Sequence, residues 1–277
     1  MQGHGGAVPK VEYGVSQYKN RKGILIINFK SAFRVWQRHF SVYKKLYKSS
    51  IAFNFIEPVL YLVALGFGLG AFVREINGVP YINFIAPGLI ASSSMFATAS
   101  ECTYGTYVRM TYQKTFDAIL ATPVNIYDLV AGELMWGATK SVLYGSIIAV
   151  VISFFGLISS PAIVLIVPLL FISGLIFAEI AVIATALVPG IDSFSYFFTL
   201  LLTPSFLFSG IFFPIESLPP FVAKIAFFTP LYHLVNICRA FSAGTLNTVT
   251  LEIVWLVAVA GLLAPYPFRL MKRRIIK

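Results

Sequence analysis

The apolar segment at residues 206–241 is interrupted by Pro214, Pro219, Pro220 and Pro230. Each proline removes a backbone N–H donor and ends or kinks a helix, so the pieces between them are about half as long as a membrane span. Broken backbone survives at membrane depth only where protein or a water-filled cavity satisfies its polar groups. We therefore expect a re-entrant helical hairpin at residues 211–240, on one face of a multi-span membrane protein, which points towards a transport pathway.

Composition indicates that the chain is an integral membrane protein. Of its 277 residues, 58% are hydrophobic and 12% are charged, whereas about 25% of the residues of soluble proteins are charged. The 21 lysines and arginines exceed the 11 acidic residues, but they concentrate before Ser49 and after Phe268. Basic ends mark the cytoplasmic side of a membrane protein. We therefore expect both termini in the cytoplasm and no nucleic-acid partner.

Several apolar segments have the length of about 20 residues that a membrane span requires. They are residues 51–73, 84–107, 129–155, 162–188, 193–213 and 250–269. An even number of spans returns the basic C-terminal tail to the side of the basic N-terminal region, whereas counting 221–238 as a further span would put the tail outside. The prediction is an all-α membrane protein with six transmembrane helices over residues 51–277 and a re-entrant hairpin before the last span.

An amphipathic helix is predicted before the first span, in the region 21–50. Its aromatic residues recur at spacings of three and four and so share one helix face, opposite a set of lysines and arginines. The aromatic residues are Phe33, Trp36, Phe40, Tyr43 and Tyr47, and the basic set includes Arg34 and Arg38. We expect this helix at the inner-leaflet interface; the alternative is a helix packed on a partner protein. Residues 1–20 are expected to be flexible.

Five ionisable residues lie within the predicted spans, where they are costly unless they are paired or hydrated. They are Glu57, Glu101, Glu133, Lys140 and Glu179. The topology brings the four acids near the inner ends of their spans, where they either line a hydrated vestibule or cap helices and tie the inner loop to the bundle. We favour the structural role for Glu57 and Glu133 and expect Lys140 to pair with a carboxylate. Glu101, Glu179 and Lys140 are the vestibule candidates.

The inner loop at residues 108–128 resembles the coupling loop of type-2 ATP-binding-cassette (ABC-2) exporter permeases, in which a short helix docks in a groove of the ATPase subunit. The loop combines a small apolar ridge with polar edges and a proline that ends the helix. The coupling residues are Lys114, Thr115, Phe116, Asp117, Ile119, Leu120, Ala121, Thr122 and Pro123, with Phe116, Ile119 and Leu120 as the ridge. The alternative is a loop helix that packs only on its own bundle.

The segment SGIFFPIESLPP at residues 209–220 is similar to the outer re-entrant region of the same family. We expect it to form an outer gate built on Pro214, Glu216, Pro219, Pro220 and Pro230. Residues 101–133 are most similar to the nodulation-type lipo-oligosaccharide exporter permeases.

The resemblance implies a homodimer, or two similar permeases, with two cytosolic ATPase subunits. It also implies a substrate with a lipid tail and a sugar head that is moved out across the bacterial inner membrane. Drug and polyketide efflux permeases share this scaffold and remain an alternative.

No ATP-binding loop occurs in the chain, because the pattern G-x-x-x-x-G-K-[ST] is absent. We expect ATP and Mg on the partner ATPase and no cofactor here. His4, His39 and His233 are separated from each other and from the cysteines, so no metal site is expected.

A membrane-embedded transferase or hydrolase would need convergent catalytic groups, and Glu216 and His233 are the only outer candidates. A passive channel or receptor scaffold would leave the coupling loop without a purpose.

Overall fold

The computed structural model describes residues 27–245 and 249–276, except for the side chains of residues 48–55. The predicted flexible segment 1–20 lies outside the described residues. The helices are α1 (Phe29–Val63), α2 (Tyr81–Ser100), α3 (Thr115–Leu120), α4 (Ile126–Phe154), α5 (Ile166–Leu187), α6 (Phe194–Phe197), α7 (Thr203–Phe208), α8 (Pro220–Phe227), α9 (Pro230–Ala243), α10 (Thr250–Leu263) and α11 (Pro265–Ile275). A short hairpin of β1 (Glu75–Ile76) and β2 (Val79–Pro80) joins the first two long helices. We call this end of the bundle, predicted to face outward, the outer end, and the opposite end the inner end.

Five of the described helical segments are long and apolar enough to cross a membrane. They are Tyr81–Tyr112, Ile126–Phe154, Pro161–Leu187, Ile191–Phe208 and Thr250–Ile275. The end of the first helix, Ile56–Ala71, is apolar but shorter, and the predicted span 51–73 extends into side chains that are not described. The prediction of an all-α membrane protein is confirmed.

Helix α1 runs without a break across the predicted boundary between interfacial helix and first span. Its 35 residues correspond to about 52 Å at 1.5 Å per residue. Residues 41–57 contain neither proline nor glycine, so nothing in the local sequence ends the helix there. The predicted amphipathic helix and the start of the first span thus form one continuous helix, and the position of its N-terminal half at the membrane interface stays a prediction. It packs along the inner half of α4.

Helices α2, α4 and α5 pack on one another at the centre of the bundle, whereas the segment Ile191–Phe208 is mostly exposed at its side. A large core fills the outer part of the bundle. A smaller core at the inner end gathers residues from α1, α3, α4, α5 and α11. The inner core thus joins the predicted coupling helix to the spans.

The basic C-terminal helix α11 caps the inner end of α5. Arg274 Nη1 donates hydrogen bonds to the carbonyl oxygens of Thr185 (2.9 Å) and Ala186 (3.1 Å) and to that of Val188. These carbonyls have no partner within their own helix, and a cation there also complements the helix dipole. The turn at residues 189–192 has no basic residue of its own, and the tail supplies one.

The backbone after α7 bends sharply, and Arg239 of α9 satisfies its carbonyl groups. Arg239 Nη2 donates to Gly210 O at 2.5 Å and to Ile211 O at 3.2 Å, while its guanidinium lies 3.8 Å from the centre of the Phe84 ring. Gly210 has a φ of +81°, a conformation that favours glycine. A Cβ on Gly88 of α2 would lie 2.9 Å from Ile211 Cγ2. The absence of a side chain at Gly88 therefore allows the bend to pack closely against α2.

Candidate coupling site at the inner end of the bundle

The short helix α3 forms between two local signals. Lys114, which precedes it, adopts a left-handed conformation with φ +53°, and Pro123 follows it. The next helix, α4, begins at Asn125, whose side-chain oxygen accepts from Asp128 N at 2.9 Å. Asp128 Oδ1 in turn accepts from Asn28 N at 2.7 Å. The loop that carries α3 is thereby tied to the starts of both α4 and α1.

One face of α3 is buried and the other is open. Phe116 is 0% exposed and lies in the inner core, and Thr115 is also buried. Ile119 and Leu120 are half-buried, whereas the remaining predicted coupling positions are exposed. Phe116 of the predicted ridge thus packs into the inner core, with Ile119 and Leu120 against it, and the coupling role of these residues stays a prediction. The open strip of α3 consists of Lys114, Asp117, Ala118, Ala121, Thr122 and Pro123.

A group of buried and half-buried charges lies at the same end of the bundle as α3, and we call it the inner ion network. It consists of His39, Glu101, Arg109, Glu133 and Lys140. Arg109 is its centre, since Nη1 donates to Glu101 Oε1 at 2.6 Å and Nη2 donates to Glu133 Oε2 at 2.7 Å. The two carboxylates and the two strong bases balance in charge, which a buried set of this kind requires.

Further contacts complete the inner ion network. Lys140 Nζ lies 3.2 Å from Glu101 Oε2, which confirms the predicted pairing of this lysine with a carboxylate. His39 Nε2 lies 2.8 Å from Glu133 Oε1, although the two atoms are not aligned for a hydrogen bond. Thr106 Oγ1 donates to Glu133 Oε2 at 2.8 Å. The network joins α1, the inner extension of α2, and α4.

The inner extension of α2 contains two π-helical turns, Glu101–Gly105 and Val108–Tyr112. A π-helical turn holds an extra residue compared with an α-helical turn, so it changes the direction of the side chains that follow. Such turns are frequent at functional sites. A Cβ on Gly105 would lie 2.9 Å from Glu101 Oε1 and 3.1 Å from Arg109 Nη1, so the glycine leaves room for the ion pair to close over the helix. Arg109, predicted in a loop, is thus part of a helix.

The vestibule candidates separate in the structure. Glu101 and Lys140 belong to the inner ion network, whereas Glu179 of α5 lies apart from it. Glu179 is 4% exposed, and its Oε2 has no hydrogen-bond partner among the described residues. The vestibule role of these three residues stays a prediction.

Sequence reasoning missed Arg109 and His39 as network members. The available signal for His39 was its spacing from Ala32 and Val35, which places all three on one buried face of α1. For Arg109, the signal was its distance of two helical turns from Glu101 on a continuing helix.

The aromatic face of α1 is partly exposed beside the inner ion network. The Phe33, Trp36 and Phe40 rings stack in series with centroid distances of 5.1 and 5.3 Å, and Trp36 Nε1 donates to Thr139 Oγ1 of α4 at 2.8 Å. Tyr43 packs edge-on against the ring of Trp136. A row of rings at this position suits an inner membrane interface.

The basic face of α1 reaches the coupling helix. Arg38 Nη2 donates to Thr115 Oγ1 at 3.4 Å, whereas Arg34 is exposed. Burial lowers the pKa of the Arg38 guanidinium from its usual value, and the nearby charge of Arg109 acts in the same direction. Arg38 is therefore a second link between α1 and α3, besides the inner core.

The predicted outer-gate prolines lie at helix boundaries. Pro214 and Pro219 each precede a helical turn, and Pro220 and Pro230 are the first residues of α8 and α9, a position that proline favours. Helices α8 and α9 meet at an angle of 85°, so residues 214–230 do not run as one rod. Glu216 is exposed in this region. The gate function stays a prediction.

A buried histidine joins α9 to α10 near the same end. His233 Nδ1 contacts Glu252 Oε2, and Nε2 lies 2.7 Å from Phe227 O. The His233 ring also stacks on Trp255 with a centroid distance of 3.9 Å. The sequence offered no partner for this histidine, and the structure gives it one. Among the described residues, no three His, Cys, Asp or Glu side chains lie close enough together to hold a metal ion.

Comparisons with known proteins show the family of this chain. The family described as "ABC-2 type transporter" matches residues 31–241, which include α3 and the whole inner ion network. Nodulation protein J of Sinorhizobium fredii is 37% identical over 222 residues, covering 80% of this chain and 85% of that protein. Nodulation protein J of Rhizobium meliloti is 39% identical over 211 residues, covering 76% and 80%.

A more distant relative is the inner membrane transport permease YadH of Escherichia coli K12. It is 22% identical over 235 residues, covering 84% of this chain and 90% of that protein. The family match covers most of the chain, and the identity to both nodulation J proteins exceeds one residue in three. The chain belongs to the ABC-2 type transporter family and is a multi-pass permease.

Proposed function

We propose that this chain is the membrane subunit of an ATP-driven exporter in a bacterial inner membrane. Two copies form the membrane part, both termini lie in the cytoplasm, and two cytosolic ATPase subunits bind beneath. The observation that carries this proposal is the division of α3 into two faces. The open strip of α3 is available to a partner, while Phe116 fixes the opposite face in the inner core.

The contacts around α3 provide a route for movement into the spans. A push on the open strip acts on Phe116 in the inner core and on Thr115, which bonds to Arg38 of α1. The segment that leads into α3 carries Arg109, whose two ion pairs reach α2 and α4. The ATPase would therefore move the inner ends of three long helices as one unit, which is how a rigid lever changes access to a pathway.

The proposed cargo is an amphipathic molecule with a lipid tail and a sugar head. The support is the similarity to relatives named nodulation protein J, over about four fifths of each protein, together with the resemblance of residues 101–133 to lipo-oligosaccharide exporter permeases. We place the path for such a cargo between the two permease copies, because the described residues of one bundle pack around a continuous apolar core.

Reconstitution tests the function directly. The chain is co-expressed with a candidate ABC ATPase, and the complex is placed in vesicles with a fluorescent acylated oligosaccharide. We expect ATP-dependent movement of the probe across the bilayer, and we expect an amphipathic drug of similar size to compete weakly. Preferred transport of the drug would favour a drug efflux permease, and failure to bind any ATPase would contradict the proposal.

A matched pair of variants tests the role of α3. Asp117→Lys reverses an exposed charge on the open strip, and Glu75→Lys reverses an exposed charge on the outer hairpin. We expect the first variant to lose ATPase binding and transport and the second to retain both. Equal transport by the two variants would show that the open strip is not the docking surface.

A further inference from the structure

A small cavity with polar and apolar walls lies between α1, α2 and α7, and its lining residues are separate from those of the inner ion network. Its volume is about 30 Å³, and it is lined by Glu57, Pro58, Tyr61, Ser92, Ser93, Phe96 and Phe206. On its outer side it adjoins an open groove of about 490 Å³ along one face of α1, to which Glu57 and Tyr61 also contribute. The cavity is therefore reached from the side of the bundle.

This cavity lies deep in the membrane. Ser93 is about 18 Å from the outer end of α2 at Tyr81, counted at 1.5 Å per residue, and the hydrocarbon layer is about 30 Å thick. Glu57 lines the same cavity and so lies at a similar depth. An ionised carboxylate at this depth must face water, protein or a bound ligand, because contact with lipid tails is too costly.

Two polar side chains of the cavity, Glu57 and Ser93, have no hydrogen-bond partner among the described residues. Glu57 is exposed and has no hydrogen bond or ion pair with any described residue, in contrast to the structural role expected for it. Ser93 is 4% exposed, and its hydroxyl also has no hydrogen-bond partner. Ser92 donates to Leu89 O at 3.2 Å and keeps acceptor capacity. A buried hydroxyl without a partner is rare and calls for a ligand or water.

Aromatic rings form the rest of the wall. Phe206 packs edge-on against both Tyr61 and Phe96, with centroid distances of 5.6 and 5.4 Å. Together with the carboxylate and the hydroxyls, these rings make a wall that is apolar in one part and polar in another. Binding sites for small ligands are built in this way, with a few polar groups fixing orientation on an apolar surface.

We propose that Glu57, Ser92 and Ser93 form a subsite for the hydroxyl groups of the saccharide part of the cargo. This inference rests on the proposed export function. Sugar hydroxyls both donate and accept hydrogen bonds, so they can donate to the Glu57 carboxylate and accept from the Ser93 hydroxyl. A cationic ammonium group has three donors and no acceptor, so it would leave the Ser93 donor unsatisfied. The saccharide therefore fits this set of groups better than a cation does.

Photo-crosslinking in nanodiscs tests the subsite on the full permease–ATPase complex. The probe is dodecyl maltoside with a photoreactive group on the sugar, and the labelled peptides are identified by mass spectrometry. We expect labelling of the α1 and α2 segments that contain Glu57 and Ser93, with competition by unlabelled dodecyl maltoside. Dodecylammonium, with the same chain and a cationic head that has three N–H donors and no acceptor, is expected to compete weakly. Stronger competition by this cation would overturn the saccharide assignment.

Two conservative variants make the test specific. Glu57→Gln keeps the size of the side chain and is expected to weaken probe binding at least about tenfold, and Ser93→Ala about threefold or more, by loss of their hydrogen bonds. Glu75→Gln is the control and is expected to label like the wild type. Assembly of each variant with the ATPase is checked by size-exclusion chromatography.

Export of the same probe is measured in parallel, so that the two proposals fail separately. Undiminished labelling of Glu57→Gln, in a wild-type complex that exports the probe, would overturn the subsite and leave the export function standing. A wild-type complex that binds ATPase but does not export any acylated saccharide would overturn the proposed function and the subsite with it.

Discussion

Arg109 donates to Glu133 across 2.7 Å, and this contact joins the inner extension of α2 to the inner half of α4. Arg109 lies at the start of the coupling loop and Glu133 follows its end, so their ion pair closes the loop at its base. Glu133 is 1% exposed. Its buried negative charge is therefore costly unless the positive charge of Arg109 stays beside it. The loop that contains the coupling helix is therefore held together at its two ends by ion pairs whose charges balance.

We expect removal of the Arg109 charge to destabilise the protein at the base of the coupling loop. Arg109→Gln leaves the buried carboxylate of Glu133 and the half-buried carboxylate of Glu101 without their main partner, and we expect a loss of roughly 3–5 kcal/mol in the free energy of unfolding. Thermal unfolding in detergent, followed by tryptophan fluorescence, measures the effect. Adding Glu133→Gln should recover part of the loss. The control is Arg34→Gln at an exposed position, and equal midpoints for the two single variants would contradict a structural network.

The two faces of α3 are expected to respond differently to substitution. Phe116→Ala empties a buried position and should cost about 3–5 kcal/mol of stability. Asp117→Lys changes an exposed position and should alter stability by less than about 0.5 kcal/mol, while it weakens ATPase binding. Thermal unfolding and co-purification with the ATPase separate the two effects. Loss of ATPase binding in Phe116→Ala at unchanged stability would mean that the ring docks directly.

The bend after α7 is expected to depend on Arg239. Arg239→Gln leaves the carbonyl oxygens of Gly210 and Ile211 without their charged donor, at a cost of about 1.5–3 kcal/mol. Hydrogen exchange should rise at residues 209–213. Lys224→Gln, at an exposed position of α8, serves as the control. If exchange in this segment is the same in both variants, the guanidinium does not hold the bend.

The C-terminal helix offers a closely matched pair. Arg274→Gln removes three hydrogen bonds to the inner end of α5, and we expect faster hydrogen exchange at residues 184–190 and a lower midpoint of thermal unfolding. Arg273→Gln changes the neighbouring exposed arginine and should change neither. Similar hydrogen exchange in both variants would contradict the cap that Arg274 forms on the end of α5. It would indicate that the C-terminal helix contributes only positive charge near the membrane.

Local properties of the chain were sufficient to predict the all-α membrane class and the bend at 214–230. Hydropathy over about 20 residues reports on membrane insertion, and a proline acts on its own helix, so neither depends on distant contacts. The partner of Lys140 was also predictable in kind, because a buried cation needs a carboxylate.

Tertiary packing decided which side chains turn inward and which charged residues pair. Nothing in the short helix at 115–120 indicates that Phe116 turns inward, because that depends on the cavity which α1, α4, α5 and α11 leave between them. The pairing of Arg109 with Glu133 and the approach of His39 join residues that are distant in sequence, and a linear pattern carries no distance between them. Glu57 was open to a structural or a functional interpretation by position alone. Its lack of a partner emerged only when α1, α2 and α7 came together, since the exposure of a side chain is a property of its neighbours.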